Sequence, residues 1–229
     1  MNARKKFLPI FIFGFSLTLT RCTNTTEQVY FPLEEGLAWR YQFDRKSNWV
    51  LHSGQGNVNV TISGQREIHG KTTMIQKIDV SGQSSFTFLV EDTTGIYEFA
   101  RQSSTDMEPQ LKSYPNYLIK YPITLDETWK TIQKSSIDDG VLINCMTFVE
   151  SIDDLVTVPA GTFEQCVKIK SFGKTSRQKR IAFSIVTEEY SLELTDWYAK
   201  GVGLVKTIAN ESLNKTQVET ALQLEEYSR

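Results

Sequence analysis

The chain has 229 residues, with 25 Lys and Arg against 27 Asp and Glu, and 40% of it is apolar. This slightly acidic balance gives no electrostatic basis for gripping nucleic-acid phosphates. Two histidines, His52 and His69, leave no His-rich metal site.

Arg4, Lys5 and Lys6 precede an apolar run from Phe7 to Leu19. A basic head before about 7–15 apolar residues is the pattern of a secretory signal, and it is too short for a spanning helix. Leu19-Thr-Arg-Cys22 resembles the lipobox of bacterial lipoproteins, in which the Cys becomes the acylated first residue. Arg21 stands where such sequences carry a small residue. The expected organisation is a signal peptide over 1–21, an acylated Cys22 with its tether over 22–29, and one β-domain over 30–229. No later segment is apolar over about 18 residues, so the mature chain is not expected to cross a membrane as a helix.

Beyond the tether, apolar and polar residues alternate at period two, the signature of half-buried strands. Trp39, Tyr41 and Phe43 begin the pattern, and Val58, Val60 and Ile62 repeat it. His69-Gly70 predicts a turn into Thr72–Val80, and Asp92-Thr-Thr-Gly95 a turn after the Phe86, Phe88 and Val90 strand. Residues 101–115, with Pro109 and Pro115, read as the longest loop. Short strands are expected over 118–121 and 129–132, then a long one over 142–152. The tail reads as a meander over 181–197, 202–208 and 215–227, with 210–214 as its last turn. Val218–Glu226 alone also admits a helical reading.

The clearest hairpin is Val156-Thr-Val-Pro-Ala-Gly-Thr-Phe163. Pro159 fixes φ and Gly161 accepts φ > 0, so the chain reverses between two alternating runs. An all-β fold follows, with a sandwich, a closed barrel and a curved open sheet as the options. The long C-terminal strands favour an antiparallel, strongly curved or barrel-like sheet in a single domain. If Cys22 is acylated, Cys145 and Cys166 remain, either bridged or as two independent thiols. A turn near Ala160 and Gly161 sets Cys166 opposite the region of Leu155, which argues against a bridge.

Four segments resemble a family of uncharacterised bacterial envelope lipoproteins. They are Tyr30-Phe-Pro-Leu33 with Gly36 and Trp39; Tyr121-Pro122 with Leu125 and Glu127-Thr-Trp129; Val156–Phe163 with Cys166; and Trp197-Tyr-Ala199 with Gly201–Lys206. The resemblance implies an antiparallel β-domain on a lipoprotein and assigns no activity.

No GxSxG elbow or HExxH helix is present, and no catalytic residue, metal ligand or cofactor is assigned. Ser-Ile-Asp-Asp occurs at 136–139 and 151–154 without the spacing of a calcium loop, and reads as turn chemistry at both places. Lys168, Lys170, Lys174, Arg177, Lys179 and Arg180 form a basic cluster, suited either to acidic lipid headgroups or to a solvated hairpin edge. Trp39, Tyr41, Trp129, Trp197 and Tyr198 are the candidate ligand pocket, with core packing as the alternative. The expected protein is a non-enzymatic cell-envelope protein, held to the outer membrane by its N-terminal lipid. Its domain would bind an apolar ligand or envelope protein, or support surface structure. The alternative is a carrier or receptor for lipids or acylated proteins.

Overall fold

In the computed structural model, residues 29–49, 53–105 and 107–228 are described. The signal peptide, Cys22, residues 23–28 and His52 lie outside them. Alternating burial carries the chain into twelve antiparallel strands, beginning with β1 (Ala38–Ser47), β2 (Gly54–Ile68), β3 (Lys71–Val80), β4 (Gln83–Asp92), β5 (Gly95–Gln102) and β6 (Gln110–Lys120). The second half is β7 (Thr128–Lys134), β8 (Leu142–Val158), β9 (Gly161–Ile181), β10 (Ser184–Ala199), β11 (Gly203–Leu213) and β12 (Thr216–Ser228). They form one sheet in the order β6-β5-β4-β3-β2-β1-β12-β11-β10-β9-β8-β7. Two six-stranded meanders are thus joined where β1 pairs with β12, Trp39 opposite Tyr227 and Phe43 opposite Leu222.

The edges of this sheet are β6 and β7, which follow one another in sequence and come together as the sheet curls. Their seam is held by side chains. The Trp129 indole N–H donates to Tyr117 O at 3.2 Å, and the Ile132 amide donates to the Asn116 carboxamide at 2.9 Å. The architecture is the expected one: all-β, strongly curved, a nearly closed barrel in one domain.

Several boundaries depart from the sequence reading. Residues 110–115 belong to β6 and are not loop, and Pro115 is tolerated because an edge strand can forgo a ladder hydrogen bond. Asn210 to Leu213 complete β11, so the reversal falls at Asn214, whose φ is 53°. Val218 to Glu226 is strand. The second Ser-Ile-Asp-Asp, 151–154, is not a turn but lies within β8, where three register shifts bend the strand.

That bend places the β8–β9 hairpin across the barrel. Thr157 faces Thr162, Pro159-Ala160 make the turn, and Gly161 takes φ 134°. The Ala160 amide then donates to Leu224 O on β12 at 2.9 Å. Val156 and Val158 pack into a buried cluster with Trp39, Tyr41, Val60, Ile62, Val205 and Leu224. A second cluster joins Tyr30, Phe31, Leu89, Ile119, Trp129, Val149, Ile169 and Tyr198.

Cys145 and Cys166 are free and buried. Cys145 lies opposite Gly173 and Cys166 opposite Asp154, so about seven residues of β9, roughly 23 Å, separate them. No disulfide can span that distance, and the two-thiol reading holds.

At Gly173, β9 leaves no space for a side chain against β8. A Cβ there would meet Asn144 O, and also the Cys145 sulfur at 2.8 Å. Backbone oxygen cannot swing aside, so Gly173→Ala is expected to destabilise the domain by about 2 kcal/mol. Urea unfolding checks this through a lower midpoint at unchanged slope.

Candidate functional site

The four segments singled out in the sequence meet at one end of the barrel. The backbone of the 29–33 entry segment is tied down by Gly201, whose amide donates to Val29 O at 2.7 Å. Phe31 packs on Tyr198 with ring centroids 6.0 Å apart. The Trp39 indole N–H donates to Val202 O at 2.6 Å, and the Tyr41 hydroxyl to Leu204 O at 2.9 Å. The Tyr30 hydroxyl reaches Gln165 O at 3.3 Å. Tyr30, Trp39 and Tyr41 each bury an apolar ring and hand its polar tip to a backbone carbonyl on another segment, so these three donors are paired.

The five pocket candidates are consequently divided. Trp39 and Tyr41 are in the first apolar cluster, Trp129 and Tyr198 in the second. Trp197 is half-buried, with Lys168 and Lys206 over its ring at 5.4 and 5.3 Å and its indole N–H donating to Asp154 at 2.9 Å. The structure thus places four of the rings in apolar packing, two in each cluster, and Trp197 beside charged groups.

Sequence reasoning missed Asp196. On β10 it follows Leu192 and Leu194 at period two, and its register partners are Ile169 and Thr207, both buried. That alternation was the signal available. The Thr207 hydroxyl donates to Asp196 Oδ1 at 2.6 Å. Loss of hydration pushes the Asp196 carboxyl up to about 6, with the Thr207 hydrogen bond acting the other way. Burial also raises Tyr198 and Tyr41, and the nearby Asp196 charge adds to both. Next to this group, the hydroxyls of Thr131, Thr147 and Ser171 form a buried ladder across β7, β8 and β9, each contact 2.8 Å.

The other end of the barrel carries a polar network. Glu211 accepts from Ser135 Oγ, from the Ser136 amide at 2.8 Å and from Ser136 Oγ at 2.6 Å. Arg177 joins Asp138, at 2.5 Å, to Glu188, at 2.8 Å. Its charge and the Gly140 amide hold Asp138 below the usual carboxylate range. Here the first Ser-Ile-Asp-Asp is turn chemistry, with the Gly140 amide on Asp138 Oδ1 at 3.1 Å.

The basic cluster is largely neutralised. Lys168 and Lys170 share Glu150, and Lys179 pairs with Glu188. Its strand, β9, is flanked by both β8 and β10 only as far as Gly173; Lys174, Arg177, Lys179 and Arg180 lie beyond, where β9 pairs with β10 alone and its other side is an open edge. Among the described residues no group of three or more His, Cys, Asp or Glu is arranged to hold a metal ion.

Fold and site together define a meandering, nearly closed β-barrel whose four aromatic-rich segments converge at one end. The chain belongs to the DUF3108-like family, whose model matches residues 101–222. No curated protein matches it. Among solved structures it is similar to a candidate lipoprotein from Parabacteroides distasonis, at 16% identity and a TM-score of 0.39. It is also similar to a candidate exported protein with a YmcC-like fold from Bacteroides fragilis, at 14% identity and a TM-score of 0.39. Each match covers 87% of this chain and 98% of the other.

Asp196 gives a pH signature. Its folded-state carboxyl is raised above the value near 3.9 of an unfolded chain, so the fold favours the protonated form. The cost of ionising it grows as pH climbs from about 4 and is fully present above about 6. Asp196→Asn is therefore expected to stabilise the domain by about 2 kcal/mol near pH 7, with the gain vanishing below about pH 4. Thermal unfolding of the two proteins across this range checks it.

Proposed function

We propose that the chain is a lipid-anchored, non-enzymatic cell-envelope protein that binds through its outer surface or supports envelope structure. The observation that carries this reading is the placement of the large aromatic residues. Trp39, Tyr41, Trp129 and Tyr198 are all buried, and their polar tips are spent on internal partners where hydrogen bonds form. Large apolar side chains are instead presented outward, among them Leu142, Phe172 and Phe183. A carrier of lipids or acylated proteins would need a solvent-reachable apolar concavity where those four rings now stand.

The anchor rests on the basic head, the short apolar run and Cys22. A diacylated or triacylated cysteine gives stable attachment by itself. Expression of Cys22→Ser in a bacterial host tests this part. The parent chain is expected in the membrane pellet after an alkaline wash, with fatty acid incorporated. The variant is expected to lose the label and to be released from the pellet. Equal labelling of both proteins would overturn the anchor.

A further inference from the structure

Strands β9 and β10 outrun their neighbours. The pairing of β8 with β9 reaches no further than Cys145 opposite Gly173, and β11 leaves β10 at Leu213 opposite Tyr190. Beyond these points β9 and β10 continue as a two-stranded ribbon, paired from Glu189–Ser176 to Ser184–Ile181, with Ala182 and Phe183 at the turn. The base of the ribbon is braced by Arg177, Glu188, Asp138 and the Tyr190 hydroxyl. Its end is bare: every residue from Ala182 to Thr187 is exposed. Phe183 is 106% exposed, Ile185 62% and Val186 37%.

We propose that this ribbon is a lipid-binding tip. Phe183, Ile185 and Val186 enter the boundary between headgroups and acyl chains, and Arg180 meets anionic headgroup phosphates. Charge supports this occupant. Arg177 and Lys179 are neutralised by Asp138 and Glu188, whereas Arg180 and Lys174 have no carboxylate within ion-pair distance among the described residues. Arg180 lies opposite Ile185 in the ribbon, so a free cation stands just behind the apolar apex. That depth order, aromatic first and cation behind, is the one an interfacial element needs.

Shape and area argue against a folded protein as the occupant. The apex is convex and solvated on both faces, so a protein would need a pocket built to receive it, whereas acyl chains close around any protrusion. Three such side chains offer at most about 400 Å², half of the roughly 800 Å² each partner commits to a specific protein interface. The chain enters the fold beside Gly201, at the opposite end of β10 from the turn. The tip is thus a second contact with lipid, and it does not depend on Cys22.

Residues 29–228 contain all twelve strands and the four apolar clusters, so a chain starting at Thr23 retains the complete fold. Flotation of this chain with phosphatidylcholine vesicles, with and without phosphatidylglycerol, tests the proposal. The parent chain is expected to float with the anionic vesicles. Phe183→Ser, at a site with no packing to lose, is expected to partition about tenfold less. Arg180→Gln is expected to erase the preference for anionic lipid. A fluorophore on Phe183→Cys, where the buried Cys145 and Cys166 compete little for label, should be quenched by nitroxides within the acyl chains. No flotation of the parent chain, or flotation unaffected by Phe183→Ser with no quenching, would overturn the proposal.

Discussion

Twelve strands enclose more space than side chains alone can fill, and everything else in this fold follows from that excess. About eight strands give a barrel whose interior side chains just meet. Here the surplus is taken up by the chain itself. Three register shifts bend β8, the Pro159-Ala160 turn reaches the opposite wall, and Ala160 donates to Leu224 O. The 29–33 segment fills the adjoining volume with Tyr30 and Phe31. Both elements pack their apolar side chains into the interior at the same end of the barrel.

The plug accounts for the recurrence of aromatic segments without invoking a ligand. Trp39 and Tyr41 hold the β10–β11 connection through Val202 O and Leu204 O, and Trp129 holds the β6–β7 seam through Tyr117 O. A seam joined by side chains is weaker than a ladder of backbone pairs, because each contact orders a whole side chain to gain one hydrogen bond. The fold therefore places its second apolar cluster directly behind that seam, where Ile119 and Trp129 meet. Asp196 is the exception to economical packing, a half-buried carboxyl among apolar neighbours with one hydroxyl donor.

Much of the architecture was legible because period-two alternation survives in nearly every strand. The Val156–Phe163 hairpin, the His69-Gly70 turn and the C-terminal meander are each written in local residue order. What was not legible depends on contacts far apart in sequence. Pro115 reads as loop until β6 is known to be an edge, and Asp153-Asp154 reads as a turn until β8 is known to be bent. The basic run on β9 looked like one patch, but its charges are cancelled by Glu150, Asp138 and Glu188, whose nearness no spacing reveals. The aromatic residues stand out by type, yet residue type cannot say whether rings line a space or fill it, nor that they divide between two clusters. Asp196 carried a signal, an acid at an inward position, that alternation counting weighs too lightly.

At its plugged end the barrel is filled by the chain's own Tyr30, Phe31, Val156 and Val158, and no lipid is expected to enter there. Native mass spectrometry of residues 23–229, purified without detergent and then offered fatty acid and phospholipid, tests it directly. The bare mass of the polypeptide is expected before and after. A stoichiometric lipid adduct, lost in a folded Trp39→Ala variant, would contradict it and make the protein a carrier.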